Sequence, residues 1–287
     1  MPLINVEISL QYQICSDRAD FILNIESAQT SSQRVLGENL LISQNLTLQR
    51  YEQPGTSSRF LRFQAFPGNL QIRYEAAVEI THFLANPSTL REVAISDLPN
   101  EVLTYLYPSR YCQSDRLTEI AMQLFGSLPK GYARVAAVQA WVRKNVVFQM
   151  KSSNSMTSAL ETITLGAGVC RDFAHLMIGL CRALNIPARY TTAIDYGADP
   201  ILGPPDFHAY VEVYLGDRWY IFDPSGVAIP MGFIRIGTGR DAADVSFATI
   251  FGDVSSSPPE IKIWATEDDS RGWYIPSACL EAVSTDT

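Results

Sequence analysis

The stretch from Cys170 to Leu184 constrains this chain more than any other. Phe173, Leu176, Met177, Leu180, Cys181 and Leu184 recur on one stripe at helical spacing, which predicts a helix with a broad buried face. Gly166-Ala167-Gly168 breaks the chain just before it, and Asn185 and Pro187 stop it. Ala188–Ile194 then reads as a strand. His208–Leu215 and Arg218–Asp223 read as two more, joined at Gly216-Asp217 by a two-residue hairpin signal. An apolar helix feeding into antiparallel strands can bury its stripe against them, so the expected fold class is α+β, with the helix packed on an antiparallel sheet.

The chain has 287 residues, enough for about two domains. Residues 1–105 predict a β-rich, sandwich-like domain. Ile4 to Leu10 alternates apolar and polar side chains, and Ile22–Ile25, Leu46–Leu48, Phe60–Phe66, Gln71–Tyr74 and Val78–Leu84 are further strand candidates. Gly37, Pro54-Gly55 and Pro67-Gly68 supply turns. Residues 106–287 carry the helical patterns and form the expected second domain. Ser114 caps a segment with Leu117, Ile120, Ala121 and Leu124 at helical spacing, which Gly126 stops. Val135, Val138, Trp141 and Val142 mark a second helix, and Ser158 with Glu161 matches a capping box.

Cys170 opens the long helix just after a glycine loop. Unpaired first-turn amides and the positive end of the macrodipole favour a thiolate there and can receive an oxyanion. The bland alternative is a small residue packed at a helix start. Cys181, in the middle of the stripe, reads as core. Of the three histidines, His82 lies in the alternation Val78, Ile80, His82, Leu84 and reads as a strand residue. His175 points about 140° around the helix from Cys170 and reads as structural. His208 remains as the base. With Gly216 and Asp217 as the turn, Tyr210 pairs with Asp223, so His208 and Asp223 are diagonal neighbours on one face. Asp223 can then orient one ring nitrogen at about 2.7–3.0 Å and leave the other for Cys170. The competing reading of Asp223 is a turn residue before Pro224. The loop Asp195–Asp206 precedes His208 and is expected to border the cleft.

Three blocks carry a family resemblance: Gly168-Val169-Cys170-Arg171-Asp172-Phe173-Ala174-His175-Leu176, then Phe207-His208-Ala209-Tyr210-Val211-Glu212-Val213, then Trp219-Tyr220-Ile221-Phe222-Asp223-Pro224. Together they resemble the transglutaminase-like superfamily of cysteine enzymes. Arg182 to Tyr190 looks like its helix-to-strand connection, and Pro108–Asp115 and Gly239–Val245 resemble signatures of the bacterial branch, which carries an N-terminal β domain. The resemblance implies a papain-like core with Cys170, His208 and Asp223 as catalytic residues. Arg171 stands where many bacterial relatives have Glu or Gln. Trp141 and Gln149 are the candidates for a side-chain oxyanion donor.

The function expected is thiol-dependent acyl transfer on a peptide or protein amide, by hydrolysis of a peptide or isopeptide bond. Amine transfer by a cross-linking transglutaminase is the first alternative, and a non-catalytic binding module on the same fold is the second. No cofactor and no metal is called for. The five cysteines are odd in number, with no C-x-x-C, and Glu267-Asp268-Asp269 lacks the glycine and spacing of a calcium loop. A net charge of -8 argues against nucleic acid and anionic lipid as partners. No apolar run reaches the ~18–20 residues of a membrane helix. The first residues lack a basic, apolar leader, so a cytoplasmic location is expected.

Overall fold

The alternation at the start of the chain becomes β1 (Leu3–Ile14), whose side chains point by turns to core and surface. The computed structural model describes residues 1–198 and 205–286. After β1 come β2 (Ala19–Leu23), β3 (Gln33–Ile42), β4 (Gln49–Gln53), β5 (Ser58–Ala65), β6 (Gly68–Ile80) and β7 (Phe83–Ala85). The helical part holds α1 (Thr118–Phe125), α2 (Tyr132–Asn145), the short strand β8 (Val147–Phe148), α3 (Ala159–Leu165), β9 (Ala167–Gly168) and α4 (Cys170–Ala183). Then follow β10 (Ala188–Asp195), β11 (Phe207–Leu215), β12 (Arg218–Phe222), β13 (Phe233–Gly239), β14 (Ala248–Phe251), β15 (Val254–Ser256), β16 (Glu260–Thr266) and β17 (Ala282–Ser284).

Two sheets form a sandwich. In one, β6 separates β1 from β3, and β15 and β16 pair with the other edge of β1. The other has the order β14-β2-β5-β4. Ile4, Val6 and Ile8 of β1 share one core with Phe21, Leu61 and Phe63 from the facing sheet. β14, β15 and β16 come from far downstream, so strand pairing crosses the expected division at residue 105. A short strand's own alternation does not say which sheet it will join.

Local details differ from the expectation. Gln71–Tyr74 and Val78–Ile80 belong to one strand, β6, while His82 lies in the break before β7 rather than on a strand. Leu46–Leu48 is not a strand. It leads into β4, with Leu46 and Leu48 packed on the sandwich core. Gly37 does not turn the chain but sits at a bulge within β3. Ser114 opens a short 3₁₀ turn ahead of α1 rather than capping it directly.

The third sheet has the order β12-β11-β10-β13, and α4 lies across β10 and β11 with α1, α2 and α3 packed around it. The stripe predicted on α4 is buried: Phe173, Leu176, Met177, Leu180 and Cys181 meet Val211, Val213 and Leu215. Truncating Leu176 to Ala in such packing costs about 2–5 kcal/mol. Ile194 of β10 and Ile234 and Ile236 of β13 join the sandwich core instead. This sheet is therefore clamped between helices and sandwich, a rigid platform for side chains at its edge. The architecture is the expected α+β arrangement. Among the described residues no helix is long and apolar enough to cross a membrane.

Candidate active site

The turn that presents Cys170 is held by α4's own first turn. Asp172, fully buried, accepts a hydrogen bond from Val169 N at 2.9 Å and another from Ser153 Oγ. It also pairs with Arg171 at 3.0 Å, and Arg171 donates to the carbonyl of Asn154 at 2.7 Å. Arg171 thus ties residues 153–154 to the start of the helix. Gly166 adopts the left-handed conformation (φ 65°) that ends α3. Gly168 is required for a different reason: a Cβ there would lie 2.7 Å from Cβ of Asp172. The carbonyl of Val169 takes the bonds of Asp172 N and Phe173 N, so the amides of Cys170 and Arg171 come before the helical ladder. Cys170 is half-buried at this positive end.

His208 lies on β11 opposite Ala193 of β10. Its ring stacks on Phe233 at 5.2 Å. Nε2 is 3.3 Å from Oδ1 of Asp223, and the ring lines the same cavity as the Cys170 thiol. The thiol also approaches the carbonyl of Phe207 at 3.9 Å.

Asp223 follows β12 and is locked by its own loop. Oδ1 accepts from Ser225 N (3.1 Å) and Ser225 Oγ (2.6 Å), and Oδ2 from Val227 N (3.0 Å) and Ala228 N (3.3 Å). Gln139 of α2 holds its carbonyl at 2.8 Å. The distance to His208 exceeds the expected 2.7–3.0 Å, and Nε2 of His208 makes no hydrogen bond within normal geometry. Burial alone would push Asp223 up, but His208 and these hydrogen bonds outweigh it and hold the carboxyl below its usual range. Burial likewise works against a charged His208, yet Asp223 and Cys170 outweigh it and raise the imidazole well above its ordinary value.

Cys170 and His208 line a cavity of about 650 Å³ walled also by Tyr111, Phe148, Tyr190, Phe207, Val245 and Phe247, with Asp223 behind the imidazole. Cys170, His208 and Asp223, which the sequence singled out, thus lie together. Trp141 and Gln149 do not line the cavity. Trp141 packs edge-on against Phe125 at 6.2 Å, and Gln149 is exposed, its backbone N–H donating to the carbonyl of Gly168 at 2.9 Å. His175 is stacked on Tyr111 (4.9 Å) and accepts from Ala242 N at 3.1 Å, and burial lowers it to about 3, so it is a neutral packing residue. In the loop expected to border the cleft, Asp195, Ala198, Pro205 and Asp206 do line the cavity, while residues 199–204 lie outside the described residues. The sequence reading missed Asp195 as a site residue: its Oδ2 is 3.6 Å from Nδ1 of His208. Its signal was its place two residues beyond the partner of His208, which is visible only once β10 and β11 are paired. Among the described residues no cluster of three or more His, Cys, Asp or Glu is arranged to hold a metal ion.

Residues 118–224 match the family model of the transglutaminase-like superfamily, and residues 3–101 match that of the bacterial transglutaminase N-terminal domain. A crystal structure from Cytophaga hutchinsonii, described as a putative cysteine protease, is 37% identical with a TM-score of 0.90, covering 100% of this chain and 98% of that one. An uncharacterized protein of Mycobacterium leprae (strain TN) is 29% identical over 163 residues, which are 55% of this chain and 57% of that protein.

Proposed function

The chain belongs to the transglutaminase-like superfamily, and from that premise we propose that it is a thiol-dependent acyl-transfer enzyme that hydrolyses a peptide or isopeptide bond. The observation that carries this reading is the His208 imidazole, 3.3 Å from the Asp223 carboxylate, lining one cavity together with the Cys170 thiol. The similarity to a structure described as a putative cysteine protease supports it.

In this mechanism Nε2 of His208 faces Asp223, which leaves Nδ1 for the thiol. His208 takes the proton as Cys170 Sγ attacks the carbonyl carbon. The oxyanion that forms is received by the first amides of α4. The C–N bond then breaks, nitrogen takes the proton from His208, and a thioester remains on Cys170. His208 next removes a proton from water, whose oxygen attacks the thioester. The C–S bond breaks, and its electron pair returns to sulfur. Asp223 stays ionised throughout and stabilises the imidazolium in one orientation.

The test is labelling with a thiol-directed activity probe, together with mass spectrometry of candidate peptides in the presence and absence of added amine. Carboxylate products that vanish in Cys170→Ala are expected. Amide products with the added amine would favour cross-linking. Absence of any product and of any probe labelling would favour a non-catalytic binding module.

A further inference from the structure

The row of residues that holds His208 in its sheet continues into the N-terminal sandwich. His208 pairs with Ala193 of β10, and Ala193 pairs with Arg235 of β13, the edge strand. On an antiparallel ladder a residue directs its N–H and C=O to the same side, and Arg235 directs both outward, to Gln33 of β3. Oε1 of Gln33 accepts from Arg235 N at 2.8 Å, and Nε2 donates to the carbonyls of Arg235 and Ala28, each at 2.8 Å. Gln33 is buried, so water does not compete for these bonds. One side-chain amide thus stands where the next strand of the sheet would be. A bulge interrupts the β10–β13 register between Thr192 and Ala193, so the ladder alone holds this stretch of β13 less firmly. Two contacts carry the position of β13 on to the imidazole. Phe233 of β13 stacks on the His208 ring at 5.2 Å, and the Arg235 guanidinium pairs with Glu212, on the same strand as His208.

We propose that Gln33 is a positioning residue for the reaction: its amide fixes β13, and through β13 the place and tilt of the His208 ring. The N-terminal sandwich is then a working part of the active site. Gln33 does not line the cavity, so its effect passes through Arg235, Ala193 and Phe233. The inference rests on His208 serving the Cys170 thiol.

Alkylation of Cys170 by iodoacetamide, followed by peptide mass as a function of pH, reads the thiol–imidazole pair without any substrate. The exposed Cys15 serves as the internal reference for the reagent. Wild-type Cys170 should react on the acid side of neutrality, and His208→Ala should shift it to the profile of a free thiol, with a midpoint at about 8.5. Gln33→Ala should lower the Cys170 rate on the acid side by about tenfold, within the ~hundredfold that a 1 Å misplacement can cost. Gln33→Glu keeps the acceptor for Arg235 N and loses both donations, so it should lie between Gln33→Ala and the wild type. Leu70→Ala cuts the sandwich core at the far end of β6 from Ile80, the partner of Gln33. It should lower the thermal midpoint and leave the Cys170 profile unchanged. An unchanged Cys170 profile in Gln33→Ala overturns the positioning role, as does an equal change in Leu70→Ala. Failure of both Gln33 variants to fold assigns the amide to folding alone and overturns it too. A wild-type profile that His208→Ala does not alter overturns the thiol–imidazole reading and the inference with it.

Discussion

Nε2 of His208 lies 3.3 Å from Oδ1 of Asp223, and the contact runs diagonally across the hairpin. Pairing of β11 with β12 extends from Leu215–Arg218 to Val211–Phe222 and stops there, so Asp223 is the first residue past the ladder, on the side where Tyr210 and, two residues further on, His208 continue β11. The carboxylate is fixed from behind by the amides of Ser225, Val227 and Ala228. Orientation of the imidazole and order in the 225–228 loop therefore depend on one side chain.

Asp223→Asn should damage both. It removes the charge that stabilises the imidazolium, and kcat should fall by about ten- to a thousandfold. It also turns an NH₂ group toward backbone donors, which should cost about 1–3 kcal/mol of stability. Steady-state kinetics with urea unfolding read the two effects separately. A variant of native stability and native kcat would remove Asp223 from the mechanism.

Thiol reactivity should be confined to few positions. Cys112 and Cys181 are fully buried and burial pushes both up to about 12, so neither should alkylate in the native protein. Cys170, half-buried beside an imidazole, should react with iodoacetamide before the exposed Cys15. A time course of peptide masses tests this order, and Cys15 labelled ahead of Cys170 would count against an activated thiol.

The parts of this molecule legible in the sequence are those whose partners are close along the chain. The α4 stripe, the Ser158–Glu161 capping box and the 216–217 hairpin are all local, and each is present with its expected register. Local patterns do not encode pairings closed by long connections. Hence β14–β16 were not assigned to the sandwich, and Asp195 was not brought to His208, because β10 and β11 are joined by a loop rather than a tight turn. Leu46 and Leu48 resemble a strand in sequence because burial without backbone pairing leaves the same short apolar pattern.

The start of α4 should be sensitive to its cap. Asp172→Ala removes the acceptor for Val169 N and Ser153 Oγ and should cost about 0.5–2 kcal/mol. Gly168→Ala drives a Cβ to within 2.7 Å of Asp172 and should act in the same direction, whereas Gly37→Ala, with nothing within 4 Å of its Cβ, should not. Activity should fall with the first two variants because the amides around Cys170 lose their fixed direction. Equal thermal midpoints for Gly168→Ala and the wild type would show that the turn yields cheaply.

The buried acid Asp195 predicts a pH dependence of stability with a definite sign. Burial raises it from 3.8 to about 6, against the opposing pull of His208, with Asp223 and Asp206 as further acids facing it. The folded protein therefore holds this proton more tightly than the unfolded chain does. Stability from this group is fully present below about pH 4 and is lost as pH rises toward 6, by at most about 3 kcal/mol. His208, raised, contributes stability that is present below its unfolded value near 6.5 and lost only as pH climbs through its higher folded value. Asp223, lowered, contributes stability that is present above about pH 4 and lost on acidification through its folded value. His175 and His82, both lowered by burial, and Asp206, raised by burial, also change stability between pH 4 and 6, so it is the difference between the wild type and Asp195→Asn across that window that isolates Asp195. Asp195→Asn should match the wild type near pH 4 more closely than at pH 7, where it should be the more stable protein by about 1–3 kcal/mol. Urea unfolding midpoints across that range measure the difference. A gap between the two proteins that stays constant with pH would show that Asp195 carries no buried charge at neutral pH.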